Sequence, residues 1–347
     1  MPIWVLPVGT SPFETPKVIL AEVLIEVLLF LTLIKTKFSL KSFLNPAGLG
    51  LGILLILTII HLLFFRTETT FFGNSFRLQG VFLLWHLAAF WWLSKNIDLP
   101  SKVYRFSLFT LTILTMSAYI LGGDINGRAF GTLGEANSLA AAAIFFLPFG
   151  LINTPRWTKF VSLFLAGLII LASGSRAGVS ALLIQLIFLG LLFGIRLNLT
   201  KTLITSLVLG LTTFILPIWA GGGWYENRAE IWQTSLFAGS FSPIFGQGFG
   251  NSQQAIHQAS LILNNNVQYQ FVDSAHNIFL DFWVQGGLLG VSSLAIIIIF
   301  SIEKLLVRKQ VRELLILLGL LVTLSFNPLS VAILVFFWWT LGQGLKS

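Results

Sequence analysis

Residues 221–290 read GGGWYENRAEIWQTSLFAGSFSPIFGQGFGNSQQAIHQASLILNNNVQYQFVDSAHNIFLDFWVQGGLLG. On either side of this stretch, runs of about 15 to 20 apolar residues follow one another with short polar breaks, as membrane-spanning helices do. Within it the chain stays polar for roughly 55 residues, against a usual connection of about 4 to 6. The contrast predicts a membrane helix bundle with one long loop, 221–276, that carries Arg228, His257 and His276. A loop of that length points to function, and it feeds into a helix beginning at His276 and Asn277.

Composition fixes the class. The 347 residues are 56% hydrophobic and only 10% charged, where a soluble domain is roughly a quarter charged. The expected fold is all-α, a single polytopic membrane domain over 1–347 with about 11 to 12 transmembrane helices. Cysteine is absent, which excludes a disulfide framework, a thiolate metal site and a thiol nucleophile.

Apolar runs place spans near Val18–Ile34, Ala47–Phe65, Val81–Leu93, Phe106–Leu121, Ser138–Ile152, Phe160–Ser173 and Ala177–Ile195, then Thr202–Ala220, Asn277–Phe300, Leu314–Phe326 and Val331–Leu345. The N-terminal MPIWVLPVGTSPFETPK lacks the basic n-region of a signal peptide. The span map puts this end outside, as a shortened or missing first helix would explain.

Alternate connections hold most of the 21 Lys and Arg: Lys35, Lys37, Lys41; Lys95, Lys102, Arg105; Arg156, Lys159; Arg196, Lys201; Lys304, Arg308, Lys309, Arg312; and Lys346. The positive-inside rule assigns these to the cytoplasm and turns the long loop outward. The net charge of +8 is then topogenic, and no nucleic-acid partner is needed to explain it.

The outward side keeps few cations: Arg66, Arg77, Arg128, Arg176 and Arg228, with Lys17 at the edge of the first span. The firm cases are all Arg. Arg presents a planar fork matched to phosphate, whereas Lys suffices for topology. The split reads as phosphate binding on the outer face, and Arg176, in a break of only a few residues at headgroup level, is its best instance. The competing reading for any one of them is an interfacial Arg that snorkels to lipid phosphate.

His276 stands where the loop enters a helix, and imidazole can act as a base near neutrality. A capping or ordinary loop histidine is the other reading. Asn277 and Asp281 are spaced i, i+4, and Gln285 continues that face; a carboxylate one turn inside a span must be paired or wet. His257 reads as an ordinary loop residue, and His61 and His86 as interhelical hydrogen-bonding groups. Glu22 and Glu26 form a second i, i+4 pair with no nameable partner. GQGFG at 246–250 lacks the spacing, strand and Lys of a phosphate loop and reads as a turn. With neither DxD nor HExxH, nothing recommends a catalytic metal.

Several pieces together resemble the O-antigen ligase and polymerase family of membrane glycosyltransferases, the Wzy and WaaL type. They are FGNSFRLQG at 72–80, GRAFGTLGEAN at 127–137, SGSRAG at 173–178, NRAEIW at 227–232, SPIFGQGFGN at 242–251 and AHNIFLDFWVQGGLLG at 275–290. The resemblance implies transfer of a glycan from an undecaprenyl diphosphate carrier to an acceptor hydroxyl at the outer face of the bacterial inner membrane. The acceptor would be another glycan or a lipid core. No cofactor or metal is implied, and the anomeric configuration would invert. By resemblance, Arg176 and Arg228 hold the diphosphate and His276 orients or deprotonates the acceptor. Arg77 and Arg128 are further donors, with Asn277 and Asp281 in substrate contacts. A secondary transporter or lipid-linked oligosaccharide flippase, using Glu22, Glu26 and Asp281, is the alternative; a non-catalytic scaffold is the third.

Overall fold

The computed structural model describes residues 5, 9–35, 44–65, 67–97, 100, 102–123, 127–206, 208, 228–265, 267 and 272–346. Among them the chain is a succession of α-helices with no strand. Among the described residues, five helices are long and apolar enough to cross a membrane: Pro46–Phe65, Val103–Ile120, Arg156–Ser173, Arg176–Gly194 and Ile278–Val307. The chain is thus an all-α polytopic membrane protein. Every expected span is helical except the one near Thr202–Ala220, which lies largely outside the described residues; 199–206 are helical.

Two compact units are each assembled from separated stretches of chain. One takes its residues from 1–5, 97–225 and 304–323, the other from 6–96, 226–303 and 324–347.

In the first unit, α6 (Ala136–Leu151) is buried along nearly its whole length and packs against α5 (Val103–Ile120), α7 (Arg156–Ser173) and α8 (Arg176–Leu189). Small side chains let these helices approach closely, as van der Waals packing in a bilayer requires. A Cβ on Gly178 of α8 would lie 2.7 Å from that of Ala140 on α6. Gln185 of α8 is fully buried, and its amide donates to Ile144 O at 3.3 Å and Leu315 O at 2.9 Å, tying α8 to α6 and to α12 (Val311–Leu324).

The second unit joins α1 (Thr15–Lys35), α2 (Pro46–Phe65), the short α3 (Glu68–Phe72), α4 (Val81–Ser94) and α13 (Val331–Gln343). It also takes in the region expected as one long polar loop. That region contains two helices, α9 (Arg228–Ser240) and α10 (Ser252–Leu263), packed on one another. Ile231, Ala238, Ala255, Ile256 and Ala259 close over Ala275 and Val284 as a core of their own. The buried faces are built partly from Thr234, Ser235 and Ser260, so the apolar periodicity that signals a helix is diluted.

Helix α11 (Ile278–Val307) is broken at Gly287, whose φ of 58° and ψ of −153° are non-helical. The segment 243–248 fills the break. Gln247 and Gly248 donate backbone N–H groups to Val284 O and Gln285 O at 2.8 and 3.0 Å, and Leu288 and Leu289 donate to Pro243 O and Ile244 O at 2.8 and 3.2 Å. Freed backbone groups at membrane depth must be re-paired within the protein, and this segment does it. The expected turn at GQGFG is present, with Gly246, Gly248 and Gly250 all at positive φ.

His61 anchors the same segment. Its Nε2 donates to Phe245 O at 2.8 Å and its Nδ1 accepts from Phe249 N–H at 3.3 Å. The expected role of bonding a neighbouring helix therefore belongs to a loop contact. His86 does join helices: its Nε2 lies 3.0 Å from Glu26 Oε1 while Nδ1 bonds Phe82 O, which supplies the partner the sequence left unnamed.

Candidate functional site

Residues 273–281 bring three ionisable side chains, Asp273, His276 and Asp281, into one short stretch of the second unit. His276 has φ +54°, a left-handed conformation that costs an L-residue roughly 1–2 kcal/mol. It turns the chain so that Asn277 caps α11, with Oδ1 accepting from Phe279 and Leu280 N–H at 2.9 and 3.3 Å. Such a cap satisfies donors left open at a helix start. Asn277 and Asp281 accordingly do not meet as side chains on one helical face. Asp281 is fully buried, and its Oδ1 instead accepts from Ala275 N–H at 2.8 Å.

Asp273 ties this turn to the loop before α4. One carboxylate oxygen accepts from Arg77 Nε, and the other lies 3.9 Å from His276 Nε2. Arg77 is only 5% exposed. Its Nη1 donates to Leu329 O at 3.0 Å, where the Gln79 amide also donates at 2.6 Å. The arginine thus clamps the His276 turn and the segment before α13 onto one guanidinium. A carboxylate shared between Arg and His sits where it can orient the ring and, if His takes a proton, stabilise the cation.

A small polar cavity adjoins these groups, lined among others by Arg77, Asp273, Asp281 and Gln285. Asp281 Oδ2 is buried with no hydrogen-bond partner among the described residues. At about 30 Å³ the cavity has room for water. Asp273 has no signature in the sequence, where a lone Asp in a loop has no periodic or motif context; its place three residues before His276 is the available signal.

Arg228 belongs to this unit as the first residue of α9, and it is half-buried. Arg66 lies outside the described residues.

Arg128 and Arg176 belong to the first unit. Arg176 is exposed at the first turn of α8, behind Ser175, whose Oγ caps the helix by accepting from Gly178 N–H at 3.2 Å. Arg128 folds over the end of α7: its Nε donates to Ser173 O at 2.9 Å and its Nη2 to Asn137 Oδ1 at 2.8 Å. It lies against Gly174, in the same short break that carries Arg176. Two guanidinium-bearing residues therefore share the α7–α8 corner. Among the described residues, no group of three His, Cys, Asp or Glu is placed to hold a metal ion.

The fold defines a polytopic membrane protein, with Arg128 and Arg176 gathered in one unit and Arg77, Arg228 and His276 in the other. Residues 161–295 match the family model described as O-Antigen ligase. That segment, less than half of the chain, is similar to the O-antigen ligase family. No curated protein matches the chain. The matched segment contains Arg176, Arg228, His276, Asn277 and Asp281; Arg77 and Arg128 precede it.

Proposed function

We propose that the protein transfers or polymerises a glycan from an undecaprenyl diphosphate carrier onto an acceptor hydroxyl at the outer face of the inner membrane. The observation that carries this reading is the His276 turn, held in a left-handed conformation at the mouth of α11 beside the Arg77–Asp273 pair and lying inside the matched segment.

The acceptor oxygen attacks the anomeric carbon, the bond from that carbon to the diphosphate oxygen breaks with its electron pair on the leaving diphosphate, and an imidazole nitrogen of His276 takes the hydroxyl proton. One displacement inverts the anomeric centre. The departing diphosphate gains negative charge and needs electrostatic stabilisation, which Arg176 and Arg228 supply by bidentate contacts. Arg128 adds a further donor. Asp273 and Arg77 position His276, while Asn277 and Asp281 shape the turn and its polar cavity.

Turnover of a lipid-diphosphate glycan by the purified protein, run beside transport in sealed vesicles, tests the proposal. Glycan transfer without vesicle transport is expected. Transport without transfer would make the chain a flippase. Because arginines carry the charge stabilisation, activity is expected to survive EDTA without added magnesium or manganese; loss on chelation, restored by metal, would overturn that part.

A further inference from the structure

One cavity of the first unit belongs to neither candidate cluster. It has a volume of about 550 Å³, inside the roughly 300–1,000 Å³ typical of ligand sites. It opens where α5 begins, α6 ends and α11 turns into α12, with walls that include Tyr104, Phe149, Phe193, Lys309, Gln310 and Arg312. Helix α5 runs 18 residues from this end, about 27 Å at helical rise. That is close to the roughly 30 Å hydrocarbon core, so the cavity sits at headgroup level on one side of the bilayer.

Its chemistry divides into a charged part and an apolar part. Arg312 lies over the Phe149 ring at 5.1 Å and gives Nε and Nη2 to Glu313 Oε1 at 3.0 and 2.5 Å. Glu313 is buried and its charge is met by this pair. Nη1 of Arg312 is not used in that pairing, and the ammonium of Lys309 stands on an exposed left-handed turn. Two cations against one carboxylate leave the lining net positive. Gln310 adds an acceptor: its Oε1 is buried with no partner among the described residues, and such an atom needs a donor. Phe149, Ile152 and Phe193 make the apolar wall, with Phe193 62% exposed. A free anion would leave that wall wet, whereas an amphiphile would cover it.

We infer that this cavity binds the headgroup of an anionic glycerophospholipid whose headgroup carries a free hydroxyl, as phosphatidylglycerol does. Arg312 Nη1 and Lys309 hold the phosphodiester, Gln310 Oε1 accepts from the headgroup hydroxyl, and Phe149, Ile152 and Phe193 cover the glycerol and the first methylenes. Basic recesses between membrane helices are suited to such headgroups. Lys102, Arg105, Arg156, Lys159 and Arg308, on the helix starts and turn nearby in sequence, add to the field that draws an anion there.

The test uses the full-length protein, delipidated in neutral detergent and titrated with phosphatidylglycerol, phosphatidylcholine or inorganic phosphate. Bound lipid is counted by native mass spectrometry and thermal stability is followed in parallel. One phosphatidylglycerol is expected to survive detergent exchange and raise the melting temperature, with phosphatidylcholine and inorganic phosphate doing neither. Lys309→Glu and Gln310→Leu should each weaken phosphatidylglycerol binding about tenfold or more; the second leaves the charge unaltered and keeps the test open if the first does not fold. Equal retention by wild type and Gln310→Leu, equal retention of phosphatidylcholine, or stabilisation by inorganic phosphate alone would each overturn the inference.

Discussion

His276 combines two features that a single substitution to alanine would confuse. Its ring is the proposed base, and its backbone occupies a left-handed conformation that is as strained for Ala as for His. Glycine adopts that conformation freely, so His276→Gly removes the ring while relaxing the turn. Both His276→Ala and His276→Gly are expected to lower turnover about 10²-fold, within the range for a general base, with donor binding nearly unchanged and His276→Gly at least as thermally stable as wild type. Normal turnover in the glycine variant, or a defect lying wholly in donor affinity, would remove the base role. Asp273 acts through its neighbours. Asp273→Asn keeps the shape but leaves Arg77 buried beside a neutral amide, and breaking a buried pair costs about 3–5 kcal/mol. A clear loss of stability in denaturant titrations is the expected result. The outer arginines call for a test of shape against charge: Arg176→Lys and Arg228→Lys should each cause a substantial loss of turnover, because Lys cannot reproduce the bidentate fork. Lys159→Ala at the start of α7 should be near neutral. Equal tolerance at all three positions would leave the arginines a topological role.

The break in α11 shows why elements differ in how legible they were. Helices α1, α2 and α4 through α8 announce themselves as apolar runs because lipid and the surrounding helices select for nothing else along them. The Gly-Gly pair at 286–287 carries no such signal. It records a backbone crossing, in which Gly246 and Gly287 face each other's chain so closely that a Cβ on either would collide with backbone of the other segment. Helices α9 and α10 were hidden for another reason: short helices that bury Ala, Ser and Thr against their own loop look polar in sequence. The same holds at the site. Arg77, Arg128, Arg176, Arg228 and His276 stood out because cations and histidines are scarce on that side of the map, whereas the Arg77–Asp273 pairing, nearly 200 residues apart in sequence, is a product of tertiary folding alone. Gly287→Ala and Gly246→Ala are expected to destabilise the protein severely, since each adds a clash and a strained φ together. Gly167→Ala, where an added Cβ meets nothing within 4 Å, is the matched control and should be neutral or slightly stabilising. Comparable melting temperatures for all three would mean that the 243–248 segment does not occupy the break.

For the whole molecule, orientation follows from one helix and one charge pattern. Helix α11 separates the α9–α10 region from the turn at Lys309, and its 30 residues reach about 45 Å at full helical rise, more than the roughly 30 Å of the hydrocarbon core even allowing for the break. A single crossing by α11 is expected to put Asn251 and Lys309 on opposite sides. Which side is which depends on charge. The turn after α11 gathers Lys304, Arg308, Lys309 and Arg312 within nine residues, the kind of cluster that stays cytoplasmic during insertion. The loop with α9 and α10 holds Arg228 as its one cation, too little to retain it. A reporter inserted after Asn251 is expected to read extracytoplasmic and one after Lys309 cytoplasmic. Removing the four cations of the turn should weaken or invert that preference, whereas Arg228→Ala should leave it unchanged. If both reporters read the same side, α11 does not cross the membrane, and the proposed chemistry at its mouth would lose its access to an acceptor outside the cell.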